Sequence, residues 1–260
     1  LQLRNYIYEI LRRKDLLWYL VVSGLKAEHR NSFLGYFWWL LDPLLRVGIY
    51  YFLVVYLMDR GGNNYGGFLV IGMIGWRWID AAIKQSSKSI QKKSHIISKV
   101  YLPKIIFPLG ASITELINFG FGMSIIVLYL VVKRIWPGFS IIWLPVVMTV
   151  QYLFLLAIGM IVAFASVFVR DIDNLLTHFM RLWFYSSPVI WERGRLPARY
   201  QWIVDLNPVS AFLNGYRNIF LNAGSPSFRA LGIIAVVSVI VIIVMTYYYH
   251  RNEHKIVKVL

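Results

Sequence analysis

Apolar residues along this chain gather into six stretches, at 37–58, 68–83, 105–132, 141–169, 174–190 and 230–249, separated by polar or basic segments. Together they take up half of the sequence, at lengths near the roughly 20 residues that cross a bilayer core as a helix. The pattern predicts an all-α membrane protein with six transmembrane helices. Residues 5–22 read differently: Ile7, Ile10, Leu11, Trp18 and Val21 are apolar while Glu9, Arg12, Arg13 and Asp15 keep much of the circumference charged. Such a helix lies along the membrane surface, as a lipid anchor or as a partner-binding element. The expected divisions are an interface helix at 1–30, five spans at 31–190, an outer segment at 191–229, and a last span with its tail at 230–260.

The outer segment is too hydrophobic for a plain loop. Pro208 opens a helix capped by Asn207, with Val209, Phe212, Leu213, Tyr216, Ile219 and Phe220 at helical spacing. At about 13 residues it is too short to span and reads as re-entrant or interfacial. The spans themselves carry polar exceptions. Asp42 and Arg46 are one turn apart on the first, Arg77 and Asp80 share a face of the second, and Glu115 and Asn118 lie on the third. Glu115 is read mainly as an interhelical hydrogen-bonding group, with a proton site as the alternative. On the fifth span Asn174, His178, Arg181 and Tyr185 recur at i, i+4, i+7 and i+11, which aligns them on one face. That stripe implies water or a polar substrate beside it, or else a buried polar seam.

Only 15% of residues are charged, against about 25% in an ordinary soluble domain. The net charge of +15 would suggest nucleic acid in a soluble protein, but its distribution is topological. With six spans, the segments placed on the side of both termini hold 16 of the 27 Lys and Arg, the opposite segments 8. Both termini are predicted cytoplasmic, and no nucleic-acid role is expected. Arg12, Arg13, Lys14 and Asp15 interrupt the first apolar residues, so no cleavable signal peptide is expected. The lysine-rich segment 84–104 is the longest internal cytoplasmic loop and the natural docking surface, with Lys88, Lys92 and Lys93 as candidate contacts alongside Arg12 and Arg13.

Catalytic patterns are missing. There is no Walker phosphate loop, no dinucleotide fingerprint, no HExxH and no GxSxG. The absence of cysteine excludes disulfides and thiolate metal sites. His250 and His254 flank Glu253 without a third well-placed ligand, so no metal is expected. Aromatic residues stand out instead: Tyr36, Trp39 and Tyr50 fall within roughly a 60° arc of the first span. Aromatic faces stack on sugar rings, though they also pack cores. With the polar stripe of the fifth span (His178, Arg181, Tyr185) and an aromatic outer gate (Trp202, Phe212, Tyr216), they describe a conduit for a hydroxylated, ring-bearing polymer.

The run Arg30-Asn31-Ser32-Phe33-Leu34-Gly35-Tyr36-Phe37-Trp38-Trp39-Leu40-Leu41-Asp42-Pro43 resembles the start of the first span in permeases of ATP-binding-cassette exporters of polysaccharide and polyol phosphate, the O-antigen, capsule and teichoic-acid class. Leu102-Pro103-Lys104 through Pro108, Val169-Arg170-Asp171-Ile172, Ser187-Pro188-Val189 and Leu206-Asn207-Pro208 follow in the order of that family. At 29–31 the chain has His-Arg-Asn where the family often has a basic–aromatic pair. The resemblance implies a homodimeric channel in the bacterial inner membrane, lined largely by the first and fifth spans, for a lipid-linked glycan. It also implies two copies of a separate ATPase subunit, which uses ATP and magnesium and docks on about 5–25 and 84–104. No cofactor is expected on this chain, which itself breaks no covalent bond. An exporter of drugs or small lipids, a membrane enzyme acting on polyprenyl-linked sugars and a proton-driven transporter are the alternatives.

Overall fold

The structure is a computed structural model that describes residues 6, 8–10, 12–29, 37–57, 64–94, 102–169 and 171–259. Among these residues every regular element is helical. In chain order they are α1 (Lys14–His29), α2 (Trp38–Tyr51, continued by a π-helical turn over Phe52–Leu57), α3 (Tyr65–Ser89), α4 (Ile106–Lys133), α5 (Leu144–Phe168), α6 (Ile172–Ser186), α7 (Gln201–Leu206), α8 (Pro208–Phe220) and α9 (Phe228–Val259). Four helices, α3, α4, α5 with its leading turn, and α9, are long and apolar enough to cross a membrane.

Helix ends follow local chemistry. Asn207 caps α8, its side-chain oxygen accepting from the Val209 N–H at 3.1 Å, and Pro208 takes the first turn where a missing N–H costs nothing. Helix α4 stops where Arg134 turns left-handed at φ 56°. Helix α3 runs past the apolar limit at Ala82 and Ile83 because polarity does not end a helix. Asp80 and Lys84 pair one turn apart at 2.6 Å, and the serines beyond them fit a helix. The last helix likewise continues through its charged end to Val259.

Helix α3 is central. Of its most apolar window 72% is buried in the protein, against 11% for α9, which lies at the periphery. Glycines bring α8 against it: a Cβ at Gly75 would stand 2.6 Å from Leu213, and one at Gly72 2.5 Å from both the Arg217 guanidinium and the Val189 carbonyl. Small residues at helix contacts are the usual route to close packing where lipid supplies no hydrophobic drive. The main core gathers Leu69, Trp76, Ile79, Phe119, Val147, Phe212 and Tyr216. A second cluster, of Tyr6, Ile90, Leu102, Ile106, Met160, Tyr249 and Ile256, closes the end of the bundle called basal below. The opposite, apical end carries α7 and α8.

Candidate conduit and its supports

Helix α6 packs along one narrow strip only. Met180 and Phe184 are buried, whereas Asn174, His178, Arg181 and Tyr185 are all exposed on the protomer surface, along with the apolar Leu175, Phe179 and Leu182. Helix α2 is its neighbour. The half-buried Tyr50 ring lies 5.7 Å from Phe184, whose ring in turn meets that of Tyr185 at 5.1 Å. The structure thus brings together Tyr50 and Tyr185, proposed from two different spans. Tyr36 and the Trp39 side chain lie outside the described residues. Farther along α2, Asp42 and Arg46 pair at 3.3 Å, both partly exposed.

At the apical end the three aromatic gate candidates part company. Trp202 stands at the surface on α7. Phe212 and Tyr216 point inward on α8. The Phe212 ring meets Phe154 at 5.5 Å, and the Tyr216 hydroxyl donates to Gln151 Oε1 of α5 at 2.7 Å. Arg193 grips Asp205 through two bonds of 2.8 and 2.7 Å, at the exposed surface. The bonded guanidinium holds the Asp205 carboxyl below its usual range, and the carboxylate in turn raises Arg193.

At the basal end Arg12, Lys88 and Lys92 are exposed, Arg13 and Lys93 partly so. Lys92 donates to Gln85 at 3.3 Å, and Lys88 stands 4.0 Å from Asp173 at the start of α6. Lys92 and Lys93 border a cavity of about 280 Å³ between α1, the end of α3 and α4, whose wall includes Gly24, Phe107 and the buried Glu115. Glu115 accepts from Asn118 at 3.3 Å. Residues 95–101 of the expected docking loop lie outside the described residues. At the foot of the bundle Glu253 of α9 accepts from the Lys104 main-chain N–H at 2.8 Å and from the Tyr6 hydroxyl. Burial draws the Lys104 ammonium below its ordinary value, opposed by Glu253 and reinforced by Arg13.

The family model for ABC-2 type transporters matches residues 15–221, from α1 through the end of α8. The chain belongs to the ABC-2 type transporter family. A Klebsiella pneumoniae protein named O-antigen export system permease protein RfbA is 27% identical over 247 residues, which is 95% of each chain. A Myxococcus xanthus protein of the same name is 28% identical over 236 residues, 90% of this chain and 91% of the relative. With the apolar helices, the family makes this a multi-pass membrane protein of the transport class.

Within this ABC-2 fold several structural groups escaped the reading of the sequence. Arg217, Gln151, Glu253 and Lys104 are buried and bonded across the bundle, at sequence separations from 28 to 247 residues. One signal was present for Arg217. It follows Leu213 by four positions, which sets a cation on the face of α8 that carries the apolar repeat.

Proposed function

We propose that this ABC-2 chain is the permease of an ATP-driven exporter that carries a lipid-linked, O-antigen-like polysaccharide from the cytoplasmic to the outer side of the bacterial inner membrane. Two copies of the chain form the channel, and two copies of a separate ATPase subunit, which consume ATP and magnesium, drive it. The observation that carries this reading is the exposed stripe Asn174, His178, Arg181 and Tyr185, facing away from its own protomer. A second copy placed across it encloses a hydrated passage, which removes the cost of facing lipid. The names of the relatives supply the kind of substrate.

In this reading α2 with its π-helical turn and α6 are spans alongside the four long helices, giving six. Helix α2 and its turn cover 20 residues, roughly 30 Å of rise, enough for the hydrocarbon core. Helix α6, with 15 residues and roughly 22 Å, falls short, and the buried segment after it together with the re-entrant α8 completes the crossing. The basal end is cytoplasmic by the charge bias, with both termini there, α1 as interface helix and 84–104 as coupling loop. Tyr50 borders the passage with the stripe. Trp202 guards its outer mouth, and Phe212 and Tyr216 act there through movement of α8 as a unit.

The test is purification of the tagged protein from native membranes with its partners, followed by export in vesicles. Recovery of a nucleotide-binding subunit and ATP-dependent export of glycan lipid are expected. Export that follows a proton gradient without ATP would instead make Glu115 the working residue and overturn the proposal.

A further inference from the structure

The chain leaves α6 at Ser186 and passes through Ser187, Pro188 and Val189, all buried and none helical. Main-chain carbonyls buried outside a helix need partners, above all at membrane depth. Arg217 of α8 supplies them. Its Nη1 donates to the Pro188 carbonyl at 2.7 Å and its Nη2 to Val189 at 2.9 Å. Nε and Nη2 also reach the Phe68 carbonyl in the first turn of α3, at 3.3 and 3.1 Å. The guanidinium lies 3.3 Å over the Phe68 ring. Among the described residues no carboxylate comes within ion-pair distance of this buried cation, and its fork is spent on tying two segments of backbone to α8.

Other contacts run beside it. The Tyr65 hydroxyl donates to the Ile190 carbonyl at 2.8 Å. Asn207 donates to the Ser187 hydroxyl at 2.8 Å and accepts from the Trp183 indole at 3.1 Å, tying the start of α8 to the end of α6. Midway along α3, Trp76 meets Trp183 and Phe184 of the last turn of α6 edge to face at 6.2 and 5.5 Å. At the basal end the Ser87 hydroxyl of α3 donates to Asp173 of α6 at 2.6 Å. Helices α3 and α6 are therefore joined at three levels, and α8 is locked to both at the apical one.

We propose that α3, α6 and α8 move as one body during transport, with Arg217 as the positioning residue that locks its outer end. A displacement received at the cytoplasmic end of α3, where the coupling loop begins, then reaches the outer end of the polar stripe undiminished. The transport role of this lock rests on the exporter reading above.

The chain has no cysteine, so spin labels can be placed without background. Labels at Ser186 and Asn214, both exposed, report the separation of α6 and α8, with unlabelled chain added so that only pairs within one protomer are read. The labelled transporter, assembled with its ATPase, should show one narrow distance that is the same without nucleotide and with a non-hydrolysable ATP analogue. Arg217→Gln should broaden that distance and cut export about tenfold while ATP hydrolysis changes less than about twofold, the pattern of lost transmission rather than lost energy supply. Arg217→Lys keeps the charge without the planar fork and should not rescue. Gly72→Ala leaves Arg217 in place but pushes a methyl into its guanidinium, and should uncouple likewise. Tyr65→Phe removes a single hydroxyl and should give a milder broadening, which keeps the test informative if the Arg217 variants do not fold.

A parent distance that shifts with nucleotide, or full rescue by lysine, would overturn the lock. So would normal export by Arg217→Gln. A parent that exports nothing in an ATP-dependent way would instead overturn the exporter reading, and the transport role of the lock with it, whatever the distances show.

Discussion

Tyr216 shows what one residue can and cannot announce. Helical spacing assigns it to the apolar face of α8, but that spacing is the same whether the face meets a gate, a lipid or another helix. Its hydroxyl is spent on Gln151, whose own amide nitrogen has no partner among the described residues. Removing the hydroxyl alone leaves a buried amide oxygen unsatisfied, which costs about 1–3 kcal/mol. Tyr216→Phe should lower the melting temperature, and Tyr216→Phe with Gln151→Leu should recover most of the loss because both polar groups are then gone. A thermal melt of the two variants in detergent checks this, and equal losses would mean that the bond contributes little.

The Arg193–Asp205 pair lies at the other extreme. Both side chains are about half exposed, so solvent screens the pair and its contribution is small. Its sign is still fixed. The carboxyl titrates lower in the folded protein than in the unfolded chain, so its stabilisation is present above the unfolded value, near 3.9, and disappears as pH falls through the folded one. Asp205→Asn should melt close to the parent at neutral pH, and any small deficit should shrink as pH falls below the unfolded carboxyl value.

Among the helices, α6 was the most legible, because a four-residue polar stripe inside an apolar run is read directly from periodicity. The start of α8 was legible for a related reason, since Asn-Pro states a cap and a first turn together. Helix α3 was not. Its apolar run ends at Ile83, but its helix continues to Ser89, because hydropathy marks the membrane and not the helix. The break after α6 was visible as Pro188, yet the partner that satisfies it lies 29 residues on. Asn207 joins these elements through the cap, the Trp183 indole and the Ser187 hydroxyl. Asn207→Ala should cost about 1–2 kcal/mol from the cap alone, and the two further bonds should carry the loss in a denaturant titration beyond that of Asn207→Asp, which keeps the accepting oxygen.

For the whole molecule, the composition already required a membrane, and the family match places α1 to α8 within the ABC-2 fold. What one chain's sequence could not state is which surfaces remain for a second copy, for lipid or for an ATPase, since each accepts similar residues. The docking account predicts that charge reversal at Lys88, Lys92 and Lys93 reduces recovery of the ATPase in co-purification without changing permease yield, and unchanged recovery would remove that role from the basal lysines. Lys88 also faces Asp173, so reversal there places like charges together at the foot of α6.

The central claim is that the stripe on α6 borders a hydrated passage, and the cysteine-free background permits a direct reading of it. Single cysteines at Asn174, His178, Arg181 and Tyr185, and for contrast at Leu175, Phe179 and Leu182, would be exposed to a charged, membrane-impermeant thiol reagent in sealed native vesicles. The stripe positions are expected to react, with protection when lipid-linked glycan is supplied, while the apolar positions stay inert. Equal inertness of both sets would make the stripe a closed seam between helices and contradict the channel.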